Sequence, residues 1–130
     1  MNFPDLAKTV TLEKMQRFMG PVTNSIHSDP ELAKSWGVGG AVAQGGHLVA
    51  FLNEYLQAAF GRGYSRGGEI SATFVQVVRP GDTVTAHHEI KSETPVDNGT
   101  KVELSVWLEH QKGEKVTVAT ASALRLGEVR

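Results

Sequence analysis

One segment constrains this chain more than any other. From Gly46 to Phe60, the residues Leu48, Phe51, Leu52, Tyr55, Leu56 and Ala59 recur at spacings of three and four. That period lines a wide apolar stripe along an α-helix. Asn53, Glu54 and Gln57 fall on the opposite side, but Val49, Ala50 and Ala58 dilute its polarity. A helix this apolar around its circumference has to be covered, so the rest of the chain must supply a surface that wraps it. Gly45-Gly46 ahead of it and Gly61 behind it mark its ends.

The sequence from Glu69 onward reads as that cover. Glu69–Val78 is rich in β-branched residues and is bounded by Gly67-Gly68 and Pro80-Gly81. Thr83–Lys91 alternates, with Val84, Ala86, His88 and Ile90 on one side. Lys101–Gln111 places Val102, Leu104, Val106 and Leu108 inward, and Lys101, Glu103, Ser105, Trp107 and Glu109 outward. Lys115–Leu126 follows across Lys112-Gly113-Glu114, and Asp97-Asn98-Gly99 supplies another hairpin turn. These four runs are expected to be strands, each joined to the next by a hairpin. The fold class is α+β: a single domain, 1–130, with an antiparallel sheet wrapped around a central helix at about 46–60. Trp107 on the outward side, and apolar residues on both faces of Glu69–Val78, suggest a contact beyond one subunit.

Two shorter helices are expected ahead of the central one. Thr11 suits the cap of a helix running to Met19 and ended by Gly20-Pro21. Asp29 suits a second cap, with Pro30 at the first helical position and Glu31 at the positive end of the helix dipole.

Composition narrows the chemistry. The 130 residues include no cysteine, which excludes disulfides, a thiolate nucleophile and Cys-based zinc or iron–sulfur sites. A formal net charge of -1 leaves no electrostatic footprint for nucleic acid. Met1–Pro21 carries Asp5, Lys8, Glu13, Lys14 and Arg17, so no export signal fits. No apolar run approaches the ~18 residues of a membrane span. A cytoplasmic protein that engages no membrane is expected.

Glycine is the informative excess: nine of the fourteen lie between Gly37 and Gly68. Gly37 to His47 reads Gly-Val-Gly-Gly-Ala-Val-Ala-Gln-Gly-Gly-His and runs straight into the central helix. Unsubstituted backbone at a helix start offers N–H groups to an anion or a developing oxyanion, or else lets the helix pack closely. No phosphate-loop lysine and no preceding strand accompany it, so a nucleotide-loop reading fails.

Upstream, Asn24-Ser25-Ile26-His27-Ser28-Asp29-Pro30-Glu31-Leu32-Ala33 puts a histidine just before a well-capped helix. His27 suits a general acid or base oriented by Asn24, or a loop histidine packed at the helix entry. Capping alone accounts for Asp29. His47, in the first turn of the central helix, is expected to pack. His87 and His88 point to opposite faces of a strand, and His110 is expected at the surface. No histidines have zinc-ligand spacing, and no metal is expected. Arg62, Arg66 and Arg79, set among glycines, suit a phosphate-bearing ligand or stand solvated.

With these residues in view, the chain resembles the MaoC-like hot-dog family of (R)-specific enoyl-CoA hydratases and acyl dehydratases. The resemblance rests on Asn24–Ala33, on Ala41-Val42-Ala43-Gln44-Gly45-Gly46, and on Val77-Val78-Arg79-Pro80-Gly81-Asp82-Thr83-Val84. It implies hydration or dehydration of an acyl thioester, with His27 as acid/base and Asn24 ordering the site. Gly45 and Gly46 would then be oxyanion donors, with Gln44 beside them in a place where the family often carries histidine. The family's catalytic Asp position, five residues before the histidine, holds Val22. Either His27 works alone, or Asp29 or another carboxylate stands in for the lost one, or hydratase activity is weak or absent. The implied substrate is an acyl-CoA or acyl-carrier thioester, with no separate cofactor, and the implied assembly a homodimer or larger homo-oligomer.

Gln44-Gly45-Gly46 followed by Asn53-Glu54 also resembles the pattern of hot-dog acyl-CoA thioesterases, with Glu54 as the base. A third reading, which Val22 suits, is a non-catalytic hot-dog subunit that binds acyl-CoA or supports an active partner.

Overall fold

The computed structural model describes residues 2–20, 25–37 and 39–127. Along the chain these form β1 (Ala7–Thr9), α1 (Leu12–Met19), α2 (Pro30–Ser35), α3 (Gly45–Phe60) and α4 (Arg62–Ser65). The remaining strands are β2 (Glu69–Phe74), β3 (Thr83–Val96), β4 (Gly99–His110) and β5 (Lys115–Leu126). The five strands form one antiparallel sheet in the order β1-β3-β4-β5-β2.

α3 packs against β3, β4 and β5. Leu48, Leu52, Tyr55 and Leu56 are buried along it, as the period of three and four predicts. The sheet meets them with Val102, Leu104, Val106 and Leu108 from β4, all buried, so the alternation there reads true. Opposite these on β5 stand Thr117, Ala119, Ala121 and Ala123. The three alanines on the helix-facing side lower the sheet surface, which lets the large side chains of α3 settle on it.

Both expected caps form. Thr11 accepts the Lys14 N–H, and Asp29 accepts the N–H groups of Glu31 and Leu32. Glycine is required where the chain turns out of α3, since Gly61 takes φ 56°, a backbone conformation that side chains disfavour.

The strand connectivity departs from four hairpin-linked strands in a row. β2 pairs with β5, not with β3, and lies at the edge farthest from β1. β2 stops at Phe74, the Val75 and Gln76 N–H groups both still donate to the Val116 carbonyl, and the chain then leaves the ladder. Val78 is buried, and its carbonyl accepts the Ala43 N–H at 2.7 Å. The Pro80-Gly81 turn thus closes a crossing segment rather than a hairpin. β1 supplies the fifth strand: Ala7, Lys8 and Thr9 pair with Thr85, Val84 and Thr83. β3 continues past Lys91 to Val96, through a register shift near Ile90 and Ser92. Pro95 is tolerated there because β1 pairs only with Thr83–Thr85, which leaves that end of β3 an open edge on one side.

Candidate active site

The candidate site forms where the His27 turn meets the approach to α3. The turn closes on itself: the N–H groups of Ser28 and Asp29 donate to the Ser25 carbonyl at 3.1 and 2.8 Å, and the His27 N–H donates to Ser25 Oγ at 3.1 Å. Asp29 Oδ1 takes the Glu31 and Leu32 N–H groups at 3.1 and 3.2 Å, which anchors the turn to α2. Gln16 Nε2 reaches across from α1 to the Ser28 carbonyl at 3.1 Å.

Two bonds join this turn to the strand-like entry of α3. The Val42 N–H donates to the Ile26 carbonyl at 3.1 Å, and His27 Nδ1 lies 2.9 Å from the Val42 carbonyl oxygen. A carbonyl oxygen only accepts, so Nδ1 carries a proton, and in the neutral ring the lone pair is on Nε2. Nε2 has no partner among the described residues, and the ring is partly buried. A half-covered imidazole in that tautomer is equipped to take a proton from a substrate or a water.

Three residues after Val42, α3 begins. Gln44 is its cap by backbone alone: its carbonyl accepts from His47 and Leu48, and its side chain makes no capping bond. Gly45 and Gly46 precede the first amides that close onto Gln44, so their N–H groups find no acceptor within the helix. The first turn carries no acidic residue and the last turn no basic one. The positive end of the dipole therefore stands without a side-chain counter-charge. A Cβ on Gly45 would meet the Phe74 ring at 2.7 Å, whereas one on Gly46 would come no nearer than 3.6 Å to Phe18.

His47 packs, as expected. Its ring lies parallel to Phe18 with centroids 4.7 Å apart, and it is buried with Nδ1 unpartnered. Burial chiefly, and Lys14 secondarily, hold its pKa below the usual imidazole range, which keeps it neutral.

Sequence reasoning misses what holds the site from below. Arg79 Nη1 donates to the Gly40 carbonyl at 3.1 Å, and its guanidinium fills the space beside Gly39 and Gly40. Arg79 thus braces the glycine approach; of the three loop arginines, it is committed to the protein itself. The signal available was the pair of small residues, which leave room for a large side chain from elsewhere. Asn24 and Val22 lie outside the described residues.

Glu54 is turned elsewhere. It is exposed and pairs with Lys8 on β1 at 2.9 Å. Nine residues into the helix, it lies about 13 Å along the axis from Gly45. Its neighbour Asn53 accepts a hydrogen bond from the Tyr64 hydroxyl. His110, expected at the surface, is instead turned in against Asp82 at 2.9 Å, because that carboxylate also caps the Arg79–Asp82 turn. Hydrogen bonds from the Arg79 N–H, His110 and Gln111 outweigh burial and lower the Asp82 pKa. Trp107 is partly buried, with Lys115 Nζ 4.4 Å from its ring centre. Among the described residues, no three His, Asp or Glu side chains gather as metal ligands would. No described helix is long and apolar enough to cross a membrane.

Residues 4–112 match the family profile of the MaoC like domain. The chain belongs to the MaoC-like dehydratase family. Among solved structures it is similar to the MaoC-like dehydratase from Rhodospirillum rubrum, at 21% identity and TM-score 0.81, over 98% of this chain and 92% of that one. It is also similar to the (R)-hydratase PhaJ1 from Pseudomonas aeruginosa, at 17% identity and TM-score 0.79, over 98% of this chain and 81% of that one. A third likeness is to the HadBC 3R-hydroxyacyl-ACP dehydratase complex from Mycobacterium tuberculosis, at 14% identity and TM-score 0.70, over 95% and 98%. These likenesses establish the hot-dog fold of this MaoC-like chain: one antiparallel sheet around one central helix. No curated protein matches it in sequence.

Proposed function

We propose that this MaoC-like protein adds water to, or removes it from, an acyl thioester, with His27 Nε2 as the acid/base. The observation that carries the reading is the His27 Nδ1 bond to the Val42 carbonyl. It fixes the working tautomer and ties the imidazole to the segment that ends at the Gly45 and Gly46 amides. In hydration, Nε2 takes a proton from the water that attacks Cβ. Negative charge then develops on the thioester oxygen, where the Gly45 and Gly46 N–H groups donate to it. The enolate collapses as Cα takes the proton back from Nε2, which restores the carbonyl and the neutral histidine. Gln44 lines that approach, and we assign Asn24 the ordering role that the family resemblance implies. Asp29 holds the turn through Oδ1; its second oxygen belongs to the carboxylate nearest His27 in sequence, and we assign it the part that Val22 cannot play.

The substrate is an acyl group on CoA or on a carrier, with no separate cofactor, and the protein acts as a cytoplasmic homodimer or larger homo-oligomer. Support for self-association comes from β2, an edge strand ending at Phe74, and from Val75 and Val77 just after it, all three about half exposed. Hydration of crotonyl-CoA, followed as loss of enone absorbance, tests the reaction, and His27→Ala tests the assignment. Full turnover in that variant would remove His27 from the mechanism.

Val22 favours a second reading, in which the chain binds the acyl thioester and supports an active partner. It predicts crotonyl-CoA binding without turnover and without thiol release. The Lys8 pairing of Glu54 gives a thioesterase reading no comparable support.

A further inference from the structure

At the far end of α3 from the candidate site, a second cavity of about 530 Å³ opens between α4, the β3–β4 turn and the end of β5. We infer that it is a separate binding site for a soluble phosphate monoester carrying a small apolar group. Among the described residues three cations line it, Arg62, Arg66 and Lys101, and no carboxylate does. The other described arginines are all engaged: Arg17 with Glu13, Arg79 with Gly40, and Arg125 with Glu93. Arg62 and Arg66 have no such partner among the described residues. Lys101 has only Glu103, at 3.9 Å.

Arg62 opens α4 and Arg66 follows its last residue, Ser65, so both side chains leave the same short turn. α4 is held in place because it lies directly on β5: a Cβ on Gly63 would stand 1.6 Å from the Leu124 carbonyl oxygen. A phosphate dianion offers each guanidinium group a pair of oxygens. The opposite wall is apolar, with Val96 and Leu126 exposed at 42% and 45%. That surface has no use for a bare phosphate but suits an aromatic or short alkyl substituent. The Asn98 side chain, also at the cavity and without a described partner, adds a donor and an acceptor. The volume lies within the range of small-molecule sites. α3 separates this cavity from Gly45 by about 24 Å of helix, so the inference stands apart from the proposed reaction.

Titrating the ¹⁵N-labelled full chain with phenyl phosphate, inorganic phosphate and phenol tests it. Phenyl phosphate is expected to move the amides of residues 62–68 and 96–101 saturably, and to bind at least tenfold tighter than either fragment. The double variant Arg62→Ala/Arg66→Ala, and separately Lys101→Gln on the hairpin, should each weaken binding, the former by at least tenfold. Absence of saturable shifts overturns the proposal, as do unchanged affinity in both variants or shifts confined to residues 41–48. Inorganic phosphate binding as tightly as phenyl phosphate overturns the apolar half. Co-sedimentation with phosphatidic acid vesicles, without binding of phenyl phosphate, overturns the soluble ligand in favour of a lipid headgroup.

Discussion

Both ends of α3 are marked by glycine, and they use it in opposite ways. At Gly45 the missing side chain leaves the helix start open, and the nearest atoms a Cβ would meet belong to the ring of Phe74, itself half exposed. Just past the other end, at Gly63, the missing side chain lets one backbone press on another, with the Leu124 carbonyl oxygen 1.6 Å from where a Cβ would stand. A ring on the surface can swing aside, whereas a carbonyl in the β5 ladder cannot move without unpicking its strand. The same residue therefore keeps one end accessible and closes the other.

The largest effect should come from breaking the closed end. Gly63→Ala is expected to destabilise the fold by about 3 kcal/mol or more, or to prevent folding, since no side-chain rotation relieves the clash. Urea unfolding checks this. At the open end the expected loss is in chemistry. His27→Ala should lower hydration of crotonyl-CoA by about 100-fold, the lower range for a lost acid/base, with the unfolding midpoint little changed. Steady-state kinetics beside thermal denaturation separate the two effects.

The contrast sharpens within the open end itself. Gly45→Ala must displace Phe74, while Gly46→Ala meets nothing closer than 3.6 Å. Alanine at 46 should be neutral or stabilising by up to about 1 kcal/mol, as expected for Gly→Ala in a helix. Alanine at 45 should gain less and lower turnover more, which paired stability and kinetic measurements resolve. The smallest effect is a pH dependence one residue further on. Burial holds the His47 pKa below its ordinary 6.5. As pH falls, the unfolded chain therefore binds the proton first. Stability is complete above about 6.5 and declines as pH drops through the lowered folded value. His88 is displaced in the same direction, by burial first and His87 second, and adds to the slope. His47→Phe keeps the stack on Phe18 and should flatten part of that decline in urea midpoints taken from about pH 7 to 5.

What sequence reveals of this molecule follows how local each cause is. α3, both capped helices and the inward residues of β4 are set by spacing and caps within a few residues, and they read directly. β1 is three residues long, too short to show a period, and it exists because Thr83–Thr85 offers an edge. The place of β2 beside β5 is a pairing across the chain that no turn signal announces; Pro80-Gly81 points instead to a hairpin. The site divides in the same way. Asp29 and the glycine pair are visible in sequence, and so is the approach of His27 to a helix. The Val42 carbonyl that sets its tautomer is fifteen residues away, and Arg79 braces Gly40 from thirty-nine away. Only folding brings such partners together.

The bare cap of α3 has one further consequence. Gln44 offers its helix no side-chain acceptor, and no carboxylate follows in the first turn. In most helices such a group contributes about 1 kcal/mol of stability to the chain that carries it. Here that contribution is left for whatever binds. A ligand oxygen seated on the Gly45 and Gly46 amides would complete the helix as well as occupy the site, so occupancy and global stability are thermodynamically linked. The empty protein is the less stable of the two states, and the difference grows with the logarithm of ligand concentration.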